Sequence, residues 1–114
     1  MWELDEDIMR QLRATFKIEA AEHIQAMNRV LLALEDNPDG DDRQPLLEEI
    51  FREAHSLKGS ASYMGARRLV QACSRLEKEA QQGNLESAGQ WLSGIEAEFA
   101  AAKTALELYV ANKK

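Results

Sequence analysis

Apolar residues recur at three- and four-residue steps along almost the whole chain, the period of helices that each bury one face. From about Asp5 to Glu35 the series Ile8, Leu12, Phe16, Ala20, His23, Met27, Val30, Leu31 and Leu34 meets no proline or glycine. It predicts one helix of about 30 residues, roughly 45 Å long. Asn37-Pro38-Asp39-Gly40-Asp41-Asp42 reads as a loop. A second helix is expected from Pro45, whose missing N–H costs nothing in a first turn, with Glu48 and Glu49 complementing the positive end. Its buried stripe is Leu47, Ile50, Ala54, Leu57, Ala61 and Met64, and it stops near Gly65. A third helix, from about Ala66 to Gln82, turns Leu69, Ala72, Cys73, Leu76 and Ala80 inward and ends at Gly83-Asn84. Ser87 and Gln90 have the form of a capping box opening a fourth helix. There Leu92, Ile95, Phe99, Ala102, Leu106 and Tyr109 make the apolar stripe out to about Ala111, with Trp91 packing at its flank. No segment alternates with period two. The expected fold is therefore all-α, an antiparallel up-down four-helix bundle, and the pattern also allows an extra short helix over residues 1–10.

Composition narrows this further. A chain of 114 residues, 45% hydrophobic and 30% charged, suits one domain, residues 1–114, with a single core and no room for an ATP-binding domain beside it. The formal charge of −6, with 14 scattered basic residues, argues against nucleic acid as a partner. No apolar run approaches the ~20 residues that span a bilayer, and the N-terminus is acidic where a signal peptide would be basic. Cys73 is the one cysteine, so no intramolecular disulfide can form; it reads as a small buried apolar residue in a reducing, cytoplasmic setting.

Candidate chemistry collects on the second helix. His55, Lys58, Gly59 and Ser62 are spaced i, i+3, i+4 and i+7, so they stack along one face. His55 follows core residue Ala54 and therefore stands about 100° around the helix from it, at the margin of the core. Gly59 costs ~1 kcal/mol relative to alanine in a helix interior, a loss that packing does not require. One turn after His55 it gives clearance for a bulky group or another protein's backbone, and Lys58 puts a positive charge beside that space. His23 lies on the apolar stripe of the first helix and reads as a core or boundary histidine with a satisfied hydrogen bond.

The run His55-Ser56-Leu57-Lys58-Gly59-Ser60-Ala61, followed by Gly65 and a leucine-rich helix, resembles the histidine-containing phosphotransfer (HPt) domains of two-component signalling. The version in chemotaxis-type histidine kinases looks closest. The resemblance covers nearly the whole chain in helix order, but its specificity is concentrated in that heptapeptide. It implies that His55 is phosphorylated through its ε nitrogen, with Lys58 near the phosphoryl oxygens, offsetting their charge. The ε nitrogen is nucleophilic only while the proton is on the δ nitrogen. By resemblance the acceptor that holds it there is Glu77, where chemotaxis-type domains carry a glutamate; the other reading of Glu77 is a surface carboxylate paired with Lys78 or with lysines of the loops. Ser74 departs from those kinases that have a second histidine at that position. The resemblance also implies that a chain of this kind can be part of a longer kinase.

The implied role is that of a phosphocarrier with no cofactor of its own. A histidine kinase catalytic domain would bring ATP, and a response-regulator receiver would bring Mg²⁺ and the acceptor aspartate. Partners are expected at the face around His55, including Ser56, Gly59 and Ser62, and at the start of the first helix, where Ile8, Met9 and Leu12 leave apolar surface. A different reading is a helical interaction module that keeps the bundle without the chemistry. A metal-binding bundle is disfavoured, because neither His23 nor His55 has a glutamate three residues before it.

Overall fold

The computed structural model describes residues 6–84 and 86–112. Nearly all of them lie in four helices, α1 (Glu6–Asp36), α2 (Arg43–Tyr63), α3 (Arg67–Gln82) and α4 (Ala88–Asn112), and no strand occurs among the described residues. Each helix packs against its neighbour in sequence, and α4 closes back on α1, which is the up-down bundle that the periodicity predicts. α1 is unbroken from Glu6, so residues 6–10 form no separate short helix; residues 1–5, and the side chain of Tyr109, lie outside the described residues.

The helix ends follow from local chemistry. α2 starts two residues before Pro45, with Leu46 N–H donating to Asp42 O at 3.0 Å. Pro45 still falls in the first turn, where N–H groups have no intrahelical acceptor, and so it does not mark the boundary. Glu48 and Glu49 consequently lie one turn too far in to meet the positive helix end. α2 closes with Gly65 at φ 74°, Gly65 N–H on Ser62 O and Ala66 N–H on Ala61 O. α3 closes the same way, with Gly83 at φ 70° and bonds from Gly83 to Ala80 O and from Asn84 to Glu79 O. Both are Schellman stops, which need the left-handed conformation that glycine adopts without steric cost. The Arg43 guanidinium donates to Gly83 O at 2.7 Å and so ties the start of α2 to the end of α3.

Met27, Ile50, Leu57, Leu69, Leu76 and Ile95 are sealed inside. Phe16 and Phe99 meet edge to face across α1 and α4, their centroids 6.0 Å apart. Cys73 is buried. Trp91 is half-buried under the Arg75 guanidinium, which lies 4.5 Å from the ring centroid. His23 is half-buried, its Nδ1 3.3 Å from a Glu53 carboxylate oxygen on α2. Arg13 is buried on α1, with Glu6 3.8 Å away, a charge that the apolar stripe gave no reason to expect inside.

This core sets two stability expectations. Ile50→Ala removes a side chain that is 1% exposed and should cost about 2–5 kcal/mol. Gly83→Ala forces a Cβ into a left-handed position and should cost about 1–2 kcal/mol. Denaturant midpoints of the two variants against wild type measure both.

Candidate functional site

α2 and α3 place a small polar network at the bundle surface. The His55 side chain is 63% exposed, and its Nδ1 lies 2.7 Å from Glu77 Oε2. The other carboxylate oxygen, Oε1, lies 2.5 Å from Lys58 Nζ. Glu77 itself is buried, only 7% exposed. Its position follows from α3's own register: it stands one turn after Cys73 and borders the stripe of Leu69, Cys73, Leu76 and Ala80. Lys58, one turn after His55, reaches the same carboxylate from the same helix as the imidazole.

The electrostatics fix the proton. Burial acts to raise the Glu77 pKa above its ordinary 4.5, but the hydrogen bonds and charges of Lys58 and His55 outweigh it, and the carboxyl group sits below that value. At neutral pH Glu77 is therefore ionised and can only accept hydrogen bonds. The bond to His55 must be donated by Nδ1–H, so the neutral form of the ring has its lone pair on Nε2. Burial first, and the nearby Glu77 charge second, push the Cys73 thiol up to about 12, with Lys58 opposing. That thiol stays protonated and takes no part in chemistry at neutral pH.

The surroundings leave one side of the ring open. A Cβ built on Gly59 would meet nothing within 4 Å. Beside it runs a groove of about 300 Å³ between α1 and α2, lined by Leu12, Thr15 and Phe16 on one wall and Gly59, Ser60 and Tyr63 on the other. Tyr63 is 72% exposed. Ser56 and Ser62 are exposed on α2. Thus His55, Lys58 and Glu77 come together in one network, while Gly59 and Leu12 share the groove. Ile8, which is exposed, and Met9, half-buried, stand further along α1 and do not line it. Ser74 is exposed one turn before Glu77.

One feature escaped the sequence reading. The Phe51 ring stacks on His55, with centroids 5.8 Å apart and planes at 15°. The signal was an aromatic residue and a histidine at i and i+4, a spacing that brings two side chains together on any helix. Among the described residues, no cluster of three or more His, Cys, Asp or Glu side chains is arranged to hold a metal ion. None of the four helices is long and apolar enough to cross a membrane over its described residues.

Comparison with known proteins places this geometry. Residues 11–105 match the family model described as Hpt domain. The chemotaxis protein CheA of Halobacterium salinarum is 42% identical over 74 residues, 62% of this chain, and that of Bacillus subtilis is 38% identical over 87 residues, 74% of this chain. The chain spans only 11% and 12% of the lengths of these two curated relatives. Among solved structures, the crystal structure of histidine-containing phosphotransfer protein B (HptB) from Pseudomonas aeruginosa PAO1 superposes with a TM-score of 0.77 at 30% identity, covering 91% of this chain and 81% of that one.

The lowered pKa of Glu77 predicts a stability difference that depends on pH. Because the folded-state value lies below the ordinary 4.5, the ionised carboxylate contributes stability that is present above that pH and is lost as pH falls through the folded-state value. Glu77→Gln should be destabilised by about 1–2 kcal/mol at pH 7, a discounted figure because Lys58 and His55 are partly solvated. The gap to wild type should close in acid. Urea melts of both proteins between pH 7 and pH 3 test this, and a gap that stays constant with pH would contradict it.

Proposed function

The chain belongs to the Hpt domain family, the phosphotransfer domains of two-component and phosphorelay signalling, and from that premise we propose that His55 is its phosphoryl carrier. The observation that carries the reading is the pair at 2.7 Å between an exposed imidazole and a buried carboxylate. With Nδ1–H held by Glu77, the Nε2 lone pair attacks the phosphorus of the donor. The P–N bond forms as the P–O bond to the leaving group breaks, and the ring keeps its Nδ1 proton. In the reverse half, a receiver aspartate oxygen attacks the same phosphorus, and the electron pair of the P–N bond returns to Nε2.

Lys58 has two parts in this proposal. Its contact with Glu77 keeps the carboxylate ionised and pointed at the ring, and its flexible ammonium, one turn along α2, would turn from that carboxylate to the phosphoryl oxygens and offset their charge. Glu77 acts on the proton and the orientation of the ring, and Gly59 provides clearance for the partner. The donor is a chemotaxis-type kinase domain that brings ATP, in keeping with the CheA relatives; the acceptor is a receiver that brings Mg²⁺. Phosphoryl transfer asks a carrier for little beyond a placed nucleophile and charge complementarity. The partner meets His55 across Ser56, Ser62 and the α1/α2 groove, with Leu12 in contact and Ile8 and Met9 at its border. We read residues 1–114 as one such domain acting in the cytoplasm.

Incubation with a chemotaxis-type kinase domain and ATP, followed by a panel of receivers from the same genome, tests the assignment. Label on the chain should survive alkali, be lost in acid and be absent from His55→Gln. Labelling of that variant as strong as wild type would refute the site, and absence of label on wild type would leave an interaction module. In the same assay Gly59→Gln should slow transfer at least tenfold while keeping the fold, because its side chain enters the open space beside the ring. Gly59→Ala should transfer normally and gain up to about 1 kcal/mol of stability. Equal rates for wild type and Gly59→Gln would count against the clearance argument.

A further inference from the structure

Charge is segregated in this acidic chain. Residues 55–82 hold five Lys and Arg against two Asp and Glu, whereas residues 1–54 hold six against fourteen. The structure sharpens the contrast on α3. Its two carboxylates turn inward: Glu77 is buried on Lys58 and His55, and Glu79 is half-buried with Oε2 sealed from solvent. Every charged residue that α3 exposes is a cation, namely Arg67, Arg68, Arg75 and Lys78. Arg75 leans over Trp91 of α4. Arg67 and Lys78 differ from it in direction: with Gln71 and Ser74 they follow a 4-3-4 spacing and form one exposed stripe, about 60–120° around the helix from Glu77 on the side away from the buried Leu69, Cys73, Leu76 and Ala80. Glu77, which His55 touches, lies between that stripe and the buried face, so α3 flanks the imidazole and carries its cations on the outer side.

We propose that the exposed cationic stripe of α3, Arg67 and Lys78, docks the acidic rim of the receiver's phosphoacceptor pocket. The inference rests on the phosphocarrier reading and names the surface that reading requires. A receiver that holds Mg²⁺ beside its acceptor aspartate must gather several carboxylates there. To bring that aspartate to Nε2, its rim must descend on whatever flanks His55. On one flank is the α1/α2 groove, whose lining carries Glu19 and no cation; on the other is α3, which exposes no carboxylate. Opposite charge across such an approach chiefly raises the association rate and selects orientation, and it weakens with salt.

The test is Arg67→Glu/Lys78→Glu, with Lys17→Glu as a control on the α1/α4 seam across the bundle. Each protein is first labelled with phosphoramidate, a small donor that needs no docking surface, and transfer is then timed to the receiver that wild type labels fastest. The double variant should accept label from phosphoramidate normally. Its second-order transfer rate should fall at least tenfold at low ionic strength and approach wild type at about 0.5 M salt, where the screening length is only a few ångströms; the control should stay within about twofold. Wild-type transfer that ignores salt, or a double variant that matches wild type at low salt, overturns the docking face and leaves the phosphocarrier intact. Failure of phosphoramidate-labelled wild type to pass label to any receiver overturns the phosphocarrier reading and this proposal with it. Salt-sensitive binding of the stripe to anionic vesicles or to DNA, with transfer rates unaffected by the charge reversal, assigns the face to another partner and also overturns it.

Discussion

A single carboxylate organises the site. Glu77 accepts from Lys58 with one oxygen and from His55 with the other, and each contact answers a different physical demand. A buried anion needs a cation to stay ionised, and Lys58 meets that need from one turn along α2. Once ionised, the carboxylate can hold the Nδ1 proton, and only then is Nε2 left as the basic atom. Exposure and order would ordinarily oppose one another in a surface imidazole. Here the ring is 63% exposed and still anchored at two places, by Glu77 at its edge and by Phe51 against its face.

The bundle is legible in the sequence because each helix buries one stripe, and a period of 3.6 residues records that directly. The helix ends were readable where glycine supplies a left-handed stop, at Gly65 and Gly83. They were less readable at Pro45, since a proline is tolerated throughout a first turn and so does not date the boundary. Arg13 was illegible for another reason: apolar patterning carries no information about which charged residues a helix seam encloses.

The site was legible to different depths. The position of His55 at the edge of the core follows from Ala54 beside it, and the space at Gly59 follows from the absence of a side chain. The pairing of Glu77 with both partners depends on how α3 is rotated against α2, which one helix's periodicity does not encode; the expectation there came from family resemblance. The cationic face of α3 lay hidden for a related reason. The acids at 77 and 79 cancel part of the charge in any count along the sequence, and only the fold turns them away from solvent.

The short connection from Tyr63 to Arg67 sets the phase of the two site helices. Successive residues on a helix differ by about 100°, so the Schellman stop at Gly65 fixes which α3 side chain comes opposite the imidazole. Lengthening that corner by one residue while keeping both helices would bring apolar Leu76 to the place of Glu77. The ring would then sit beside hydrocarbon, with neither tautomer favoured. A three-residue turn thus acts as the gauge of the site, and changes in its length are as consequential for the chemistry as changes in the reacting residues.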